Sequence, residues 1–347
     1  MKQFPALKGA FLAIAAAILF GASTPLVQQA GAGVGAWMTA ALLYAGAAVT
    51  GVLLRTKITI EAPLQKRHWP RLVLMSLFGA VLGPAGLAWG LQHTGAMGAS
   101  LMLTLEAVFT VLLAIALYNE KIGTRVALAI GLMTMGAALL VLDQTDAGQA
   151  QTLGLLAVMA ATLAWGIDNT LSRALADLDP GQIIFGKAAL GATSSLLIAI
   201  LVDGTTISIS QGFSLLLIGA IGYGLSLRFY LLAQRSFGAS RTGSLFAAAP
   251  FIGAAIAFGL GERQTSSYLI AAIILMIVGV FLHITEQHEH THSHDELEHE
   301  HAHRHDDGHH THTHLDMPSG AHSHRHQHTS IVHSHPHVPD AHHDHSH

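Results

Sequence analysis

Ten runs of mostly apolar residues, each about 20 residues long, follow one another between residues 9 and 284. A helix of that length crosses the hydrocarbon core of a bilayer. Because a backbone inside lipid has to satisfy its own hydrogen bonds, the runs predict helices. The expected limits are 9–27, 34–54, 71–91, 96–118, 124–142, 153–175, 182–202, 213–234, 241–260 and 266–284. The sequence therefore predicts an all-α polytopic membrane protein that is embedded in the lipid bilayer.

The composition narrows the class further. Only 11% of the residues are Asp, Glu, Lys or Arg, and 51% are hydrophobic. The absence of cysteine excludes disulfides, thiolate metal sites and thiol catalysis. We find no cleavable signal peptide, no phosphate-binding loop and no catalytic constellation, so we expect neither an enzyme, an ATP-driven pump nor a nucleic-acid binder.

The basic residues predict the orientation, because cytoplasmic loops are enriched in Lys and Arg. With a cytoplasmic N-terminus, Arg263 is the single basic residue of the outer loops, whereas Lys187 and Arg228 lie within spans. The inner segments collect Lys2, Lys8, Arg55, Lys57, Lys66, Arg67, Arg71, Lys121, Arg125, Arg173, Arg235, Arg241, Arg304 and Arg325. Ten spans return the C-terminus to the cytoplasm, and we expect both termini on the inner side of the cell (inner) membrane.

The first and second halves of the chain resemble each other. Three pairs of segments match in the same order and at nearly constant spacing. They are Ala16–Gly21 with Ala161–Gly166, Phe78–Val81 with Ile218–Ile221, and Gly98–Lys121 with Gly238–Arg263. The pattern predicts two five-helix repeats, residues 1–143 and 144–285, followed by a tail over 286–347. Because five is odd, the repeats must lie inverted in the membrane, an arrangement typical of secondary transporters.

Several motifs of the repeats resemble the drug/metabolite transporter superfamily and its EamA-type ten-helix permeases. They are Phe20-Gly21, Trp165-Gly166, Leu105-Glu106-Ala107-Val108-Phe109, Ala249-Pro250-Phe251, Asn119-Glu120 and Gly261-Glu262. The resemblance covers residues 9–284 and implies secondary transport, often export, of small metabolites. Ala107 stands where the family usually has proline, which predicts a less kinked fourth span. We expect Glu120 and Glu262 to cap or tether helix ends.

The spans carry a few costly polar residues, which usually face a cavity or a partner. Asp168 and Lys187 are predicted to lie at one depth and to form a buried pair. Asn169 stands beside Asp168, and Arg228 lies at a similar depth, where it would find an anion, a carbonyl or water. Glu106 lies near the middle of the fourth span, a depth that suits a proton-coupling site.

These residues have structural alternatives as well. Lys187 and Arg228 could extend to the inner interface, as long basic side chains do. Asp168 with Asn169 could instead hold a neighbouring helix, and Tyr223 could serve packing or line a pathway. Pro84, Gly224 and Pro250 free backbone groups that could line a cavity, form a hinge or only kink a helix. We nevertheless place Asp168, Asn169, Glu106, Lys187, Arg228 and Tyr223 on a substrate pathway.

The tail is of another kind. Residues 288–347 contain 23 of the 26 histidines of the chain. The other three are His68, His93 and His283. Most follow a His-x-His pattern with Ser, Thr, Asp and Glu between them, a composition that predicts disorder. Imidazole with carboxylate suits Zn, Ni, Co or Cu(II). The predicted ligands are His288, His290, His292, His294, His299, His301, His303 and His305.

Three functions remain open at this point. The first is a secondary exporter of a small metabolite, with the tail binding a divalent transition metal. The second is a transition-metal exporter fed by the tail, although Asp168, Asn169 and Glu106 are a sparse, hard ligand set for such ions. The third is a membrane-tethered metal buffer. The metal affinity of the tail could also be incidental, or the tail could respond to pH. No cofactor is required by the core, and a homodimer is left open.

Overall fold

A computed structural model describes residues 5–54, 63–118, 122–145, 148–172, 175, 178–203, 207–237, 239–263, 265–285, 288–294, 297–303, 322–328 and 331–337. Within these ranges, ten helical spans are long and apolar enough to cross a membrane, which confirms the predicted fold class. The helices are α1 (Pro5–Ala30), α2 (Ala36–Leu53), α3 (Trp69–Ser76), α4 (Gly83–His93), α5 (Ala96–Met102), α6 (Leu105–Tyr118), α7 (Thr124–Thr145), α8 (Gln149–Ser172), α9 (Pro180–Val202), α10 (Ile209–Ile218), α11 (Ser226–Phe237), α12 (Ala239–Phe246), α13 (Ala249–Gly259) and α14 (Ser267–Ile284).

Four of the spans consist of two helices each. A π-helical segment, Leu77–Leu82, joins α3 to α4 in span 3, and Gly219–Leu225 joins α10 to α11 in span 8. Pro84 follows the first segment and Gly224 lies inside the second, where the sequence predicted freed backbone groups. A π-helical turn removes ordinary helical hydrogen bonds, and such turns are frequent at functional sites.

Spans 4 and 9 are interrupted at matching places. Leu103–Thr104 separates α5 from α6, and Ala247–Ala248 separates α12 from α13. At the first interruption, the backbone N–H groups of Thr104 and Glu106 bond to carbonyls three residues back, at 3.1 Å each. The fourth span is thus interrupted three residues before Ala107 without a proline, and the expectation that it is less kinked stays a prediction.

The helices pack in pairs that a two-fold relation between the halves would produce. Span 2 packs on its counterpart span 7 (α2 on α9), and span 5 on span 10 (α7 on α14). The contact of α1 with α11 is matched by that of α8 with α4, and the contact of α1 with α13 by that of α8 with α6. Five spans in each half give counterpart helices opposite directions, as an inverted repeat requires.

The glycine of each Phe-Gly or Trp-Gly motif allows one of these close contacts. A methyl group on Gly166 would lie 3.0 Å from Cβ of Phe109 in α6. A methyl group on Gly21 would overlap the carbonyl of Ala249, where α13 begins. Small residues let membrane helices approach closely. The first helix of each half can therefore lie against the interrupted span of the other half.

The described part of the tail consists of four seven-residue strands. They are β1 (His288–His294), β2 (Leu297–His303), β3 (His322–His328) and β4 (Ile331–His337). β1 pairs with β4 and β2 pairs with β3, both antiparallel. The sequence led us to expect a disordered tail, and these four segments differ from that expectation. The strict alternation of His with other residues has the two-residue period of a strand.

Candidate functional site

The predicted pair of Asp168 and Lys187 is present between α8 and α9. Lys187 Nζ donates to Oδ2 of Asp168, and the two side chains are 19% and 6% exposed. Asp168 lies one turn before the end of α8, and Lys187 lies two turns into α9. Both helices pack against span 3, and the ion pair joins them there. Two charges that would each be costly inside a membrane thereby compensate one another.

The Asp168 carboxylate lies directly against the backbone of span 3. A methyl group on Gly79 would come within 2.8 Å of Oδ1 of Asp168 and closer still to Oδ2. Oδ1 itself is buried and has no hydrogen-bond partner among the described residues. The carboxylate thus keeps one acceptor free for a further donor, and glycine is the residue that leaves it room.

Glu106 lies beside this pair, although the sequence placed it at a different depth. Asn169 Nδ2 donates to Oε1 of Glu106 at 2.7 Å, and both Asp168 and Lys187 are near enough to act on Glu106 electrostatically. Glu106 stands in the first turn of α6, where the positive end of the helix dipole favours an anion. We call Asp168, Lys187, Glu106 and Asn169 the polar cluster.

The carbonyl of Gly79 holds two further side chains near the polar cluster. Tyr44 OH donates to it at 2.6 Å, and Trp165 Nε1 donates to it at 3.0 Å. The π-helical segment provides this acceptor, because its carbonyls are not all used within the helix. The second segment behaves alike, since Thr50 Oγ1 donates to the carbonyl of Ala220 at 3.0 Å. Helix α2 therefore supplies a donor to the π-helical segment of each half.

Five rings lie next to one another between the halves, and we call them the aromatic cluster. The Tyr223 ring is 5.8 Å from the rings of both Phe20 and Tyr44, between centroids. Phe246 extends the cluster, at 5.5 Å from Phe20 and 4.9 Å from Tyr230. The hydroxyl of Tyr223 is buried without a hydrogen-bond partner among the described residues. Tyr44 belongs to the cluster and also bonds Gly79, so it connects the rings to the polar cluster.

The sequence reasoning missed Tyr44 and the bond between Glu106 and Asn169. A tyrosine in an apolar run resembles a packing residue, and its π-helical acceptor has no signature of its own. Glu106 is the second residue after the interruption that precedes α6, so its place relative to α8 does not follow from an uninterrupted helical period.

Arg228 lies apart from the polar cluster, although the sequence placed it on the pathway. Its Nη1 donates at 2.6 Å to the carbonyl of Leu54, the C-cap residue directly after α2. A carbonyl was one of the three partners the sequence allowed. Cations are favourable at helix C-termini, so this contact accounts for the charge as an anchor between α11 and α2.

The predicted role of Glu262 is confirmed by its contacts. Its carboxylate accepts from the backbone N–H groups of Ala96 and Met97, at 2.7 and 2.9 Å, where α5 begins. Glu120, for which we predicted the same role, lies outside the described residues.

The predicted metal ligands of the tail fall on β1 and β2, except His305, which lies outside the described residues. Where side chains are described, no three His, Asp or Glu residues form a metal-binding group. The tail sites therefore stay a prediction from the sequence.

Ten membrane-length helices in two five-helix halves, with the polar cluster between them, define a polytopic membrane transporter. Residues 7–142 and 152–285 each match the EamA-like transporter family, so the two matches cover most of the chain. The protein belongs to that family. The two separate matches coincide with the two predicted repeats.

Individual proteins similar to this chain include a curated relative and a solved structure. An uncharacterized transporter from Methanothermobacter thermautotrophicus is 29% identical over 227 residues, which are 64% of this chain and 66% of that relative. The chain thus spans just under two thirds of that relative. A solved crystal structure has a TM-score of 0.56 at 18% identity, and the match covers 79% of this chain and 95% of that chain. At such low identity, the likeness concerns the fold.

Proposed function

We propose that the protein is a secondary active transporter that exports a small metabolite, which passes between the two halves at the polar and aromatic clusters. The observation that supports this most is that Glu106, from the first half, accepts a hydrogen bond from Asn169 of the second half, which directly follows the ion-paired Asp168. Secondary transporters with inverted repeats bind substrate between their halves. The hydrogen bond between Glu106 and Asn169 joins the halves on the side of the bundle where α8 ends, so cargo that passes between the halves there has to replace it.

The free acceptor of Asp168 suggests how cargo binds. A donor group on the cargo would bond Oδ1, which has no partner among the described residues, while Lys187 keeps Oδ2. The rings of Tyr44 and Tyr223 would receive the apolar part of the same molecule. Binding there replaces contacts within the protein by contacts with cargo, so the balance between the halves changes when the site is filled.

Glu106 is proposed as the proton-coupling residue. A protonated carboxyl can donate a hydrogen bond and a carboxylate can only accept. Its exchange between the two forms would change the bond to Asn169 and the electrostatic balance with Lys187. Proton uptake on one side of the membrane and release on the other could thereby drive export.

A test compares metabolites released by cells that produce the wild-type protein or Asp168→Asn at equal membrane levels. The control is Asp143→Asn in α7, which is the same exchange at a partly exposed residue away from the polar cluster. We expect the wild type and the control to raise the same extracellular metabolites and Asp168→Asn to raise none. Unchanged export by Asp168→Asn would remove the pathway assignment.

For the tail, we propose binding of divalent transition metal at interchangeable sites made by His288, His290, His292, His294 and their counterparts in the His-x-His pattern. Imidazoles two residues apart lie on the same side of an extended chain, which suits chelation. Deletion of residues 288–347 separates the functions. If metabolite export survives and metal tolerance is lost, the tail is a buffer, whereas loss of metal efflux would favour a metal exporter. If neither changes, the metal affinity is incidental.

A further inference from the structure

Helix α2 begins without a capping side chain of its own. Its N-cap residue is Gly35, and the carboxylate of Asp203 takes the place of the missing side chain, since Oδ2 accepts from the N–H of Met38 at 2.8 Å. A methyl group on Gly35 would overlap that carboxylate. Asp203 directly follows α9, so the cap of a first-half helix is supplied by the second half.

Helix α5 begins in the same way. Gly95 is its N-cap residue, and Glu262 from the second half accepts from both Ala96 N and Met97 N. A methyl group on Gly95 would lie 2.9 Å from Oε2 of Glu262. Two first-half helices therefore share a glycine at the cap and a carboxylate that reaches across from the other half.

Second-half helices are capped differently. The side chains of Asp179, Ser208 and Ser266 cap α9, α10 and α14 within the same half, by accepting from backbone N–H groups at 2.8, 3.2 and 2.9 Å. Capping across the halves is thus a feature of Asp203 and Glu262 and not of every helix start.

Both cross-half caps lie at one end of the bundle. Because the spans alternate in direction, the starts of α2 and α5 and the ends of α9 and α13 share one side, which we call the Glu262 end. Asp168 lies close to the opposite end, since it stands near the end of α8 and α8 starts at the Glu262 end. At the Glu262 end, Gln211 Nε2 donates to the carbonyl of Ala32, which is a further bond between the halves.

We infer that Asp203 and Glu262 form the gate that keeps the Glu262 end shut. Their caps are charge-assisted hydrogen bonds to helix N-termini, a strong class of polar contact. The halves cannot separate at this end while the caps hold, so opening to that side requires their release. The inference rests on the proposed transport between two halves, and it assigns to two residues the control of one of the two openings.

Accessibility of a reporter cysteine tests the gate directly, because the chain has no cysteine of its own. Ser100→Cys places the reporter one turn beyond the Glu262 cap, where the residue is buried and its hydroxyl has no hydrogen-bond partner among the described residues. Ser100 faces Gly253 of the second half, so separation of the halves exposes it. The full chain in lipid vesicles is labelled with a membrane-impermeant maleimide, without cargo.

We expect Asp203→Ala and Glu262→Ala each to raise the labelling rate about fivefold, the effect of losing one cap, and the double variant to raise it further. The matched control, Ser266→Ala, removes a cap at the same end but within one half and should leave the rate unchanged. Should an alanine variant fail to fold, Asp203→Asn and Glu262→Gln keep an acceptor oxygen and should raise the rate by a smaller factor.

Equal labelling in the wild type and the folded double variant would overturn the gate. So would a Ser266→Ala rate as high as that of the two gate variants, because loosening would then be general. The labelling experiment measures conformation in the absence of cargo. If the gate variants do not raise the labelling rate, the gate is contradicted, but the export assay of Asp168→Asn still tests the proposed function. Conversely, a failed export assay with the expected labelling would remove the proposed pathway and leave the gate.

Discussion

Asn169 donates a hydrogen bond from Nδ2 to Oε1 of Glu106 at 2.7 Å, and this bond joins α8 of the second half to the first turn of α6 in the first half. The repeat has no counterpart of this contact in its other half, because the matching residues differ. By the sequence repeat, Ser23 and Thr24 of α1 occupy the places of Asp168 and Asn169. The two halves share a framework, but α8 carries an acid and an amide at two places where α1 carries hydroxyl side chains.

The Glu106 carboxylate offers a first prediction, because its structural and proton-exchanging roles can be separated. Glu106→Gln keeps a carbonyl oxygen that can accept from Asn169 and removes the exchangeable proton. We expect it to retain stability but lose proton-driven transport. Glu106→Ala removes the acceptor as well and should cost about 0.5–1.5 kcal/mol of unfolding free energy, the net value of one hydrogen bond, because Asn169 is exposed. Thermal unfolding in detergent and transport under an imposed pH gradient provide the measurements. Full gradient-driven transport by Glu106→Gln would contradict the proton-coupling role.

The buried ion pair gives a second prediction. Lys187→Met leaves Asp168 without its cation and should destabilise the protein by about 3–5 kcal/mol, since breaking one member of a buried pair leaves an uncompensated charge. Combining Lys187→Met with Asp168→Asn removes both charges and should recover most of that stability. Transport should stay lost in the combined variant.

Melting temperatures of the single and combined variants, with export measured in parallel, test this coupling. If the combined variant were as unstable as the sum of the single variants, the two side chains would not be coupled. If it regained export, Asp168 would hold helices together without touching cargo.

The sequence was sufficient for the spans and the Asp168–Lys187 pair, because both follow from the cost of polar groups in lipid. It was not sufficient for Tyr44, or for Glu106 beside Asn169. These contacts depend on the π-helical segment around Gly79 and on the interruption before α6. Both features change which way a side chain points, whereas reading a helical face from a sequence assumes an uninterrupted period of 3.6 residues.

Gly79 gives a third prediction, since its missing side chain makes room for the Asp168 carboxylate. Gly79→Ala should push the carboxylate away, weaken the bonds of Tyr44 and Trp165 to the Gly79 carbonyl, and cost about 1–3 kcal/mol as an overpacking change. Transport should fall together with stability. Gly131→Ala in α7 is the matched control, because a methyl group there meets no atom within 4 Å.

The control variant should melt at or slightly above the wild-type temperature, since alanine favours helix over glycine by about 1 kcal/mol. Wild-type export and stability in Gly79→Ala would mean that Asp168 can lie elsewhere, which would contradict the close packing of the polar cluster against span 3.

The tail gives a prediction that is independent of the membrane core. Zinc titrated into the purified full chain should bind at several sites, and a chain without residues 288–347 should lose them, because His68, His93 and His283 are the three histidines outside that segment. The affinity for zinc should fall as the pH is lowered from about 7.5 to about 5.5, since imidazole has a pKa of about 6.5 and only its neutral form ligates metal.

Calorimetry at both pH values gives the number of zinc sites and their affinities, and nickel in place of zinc tests how selective these sites are. A truncated chain that still binds several zinc ions, or full-length binding that does not weaken at the lower pH, would place the metal on groups other than the tail histidines.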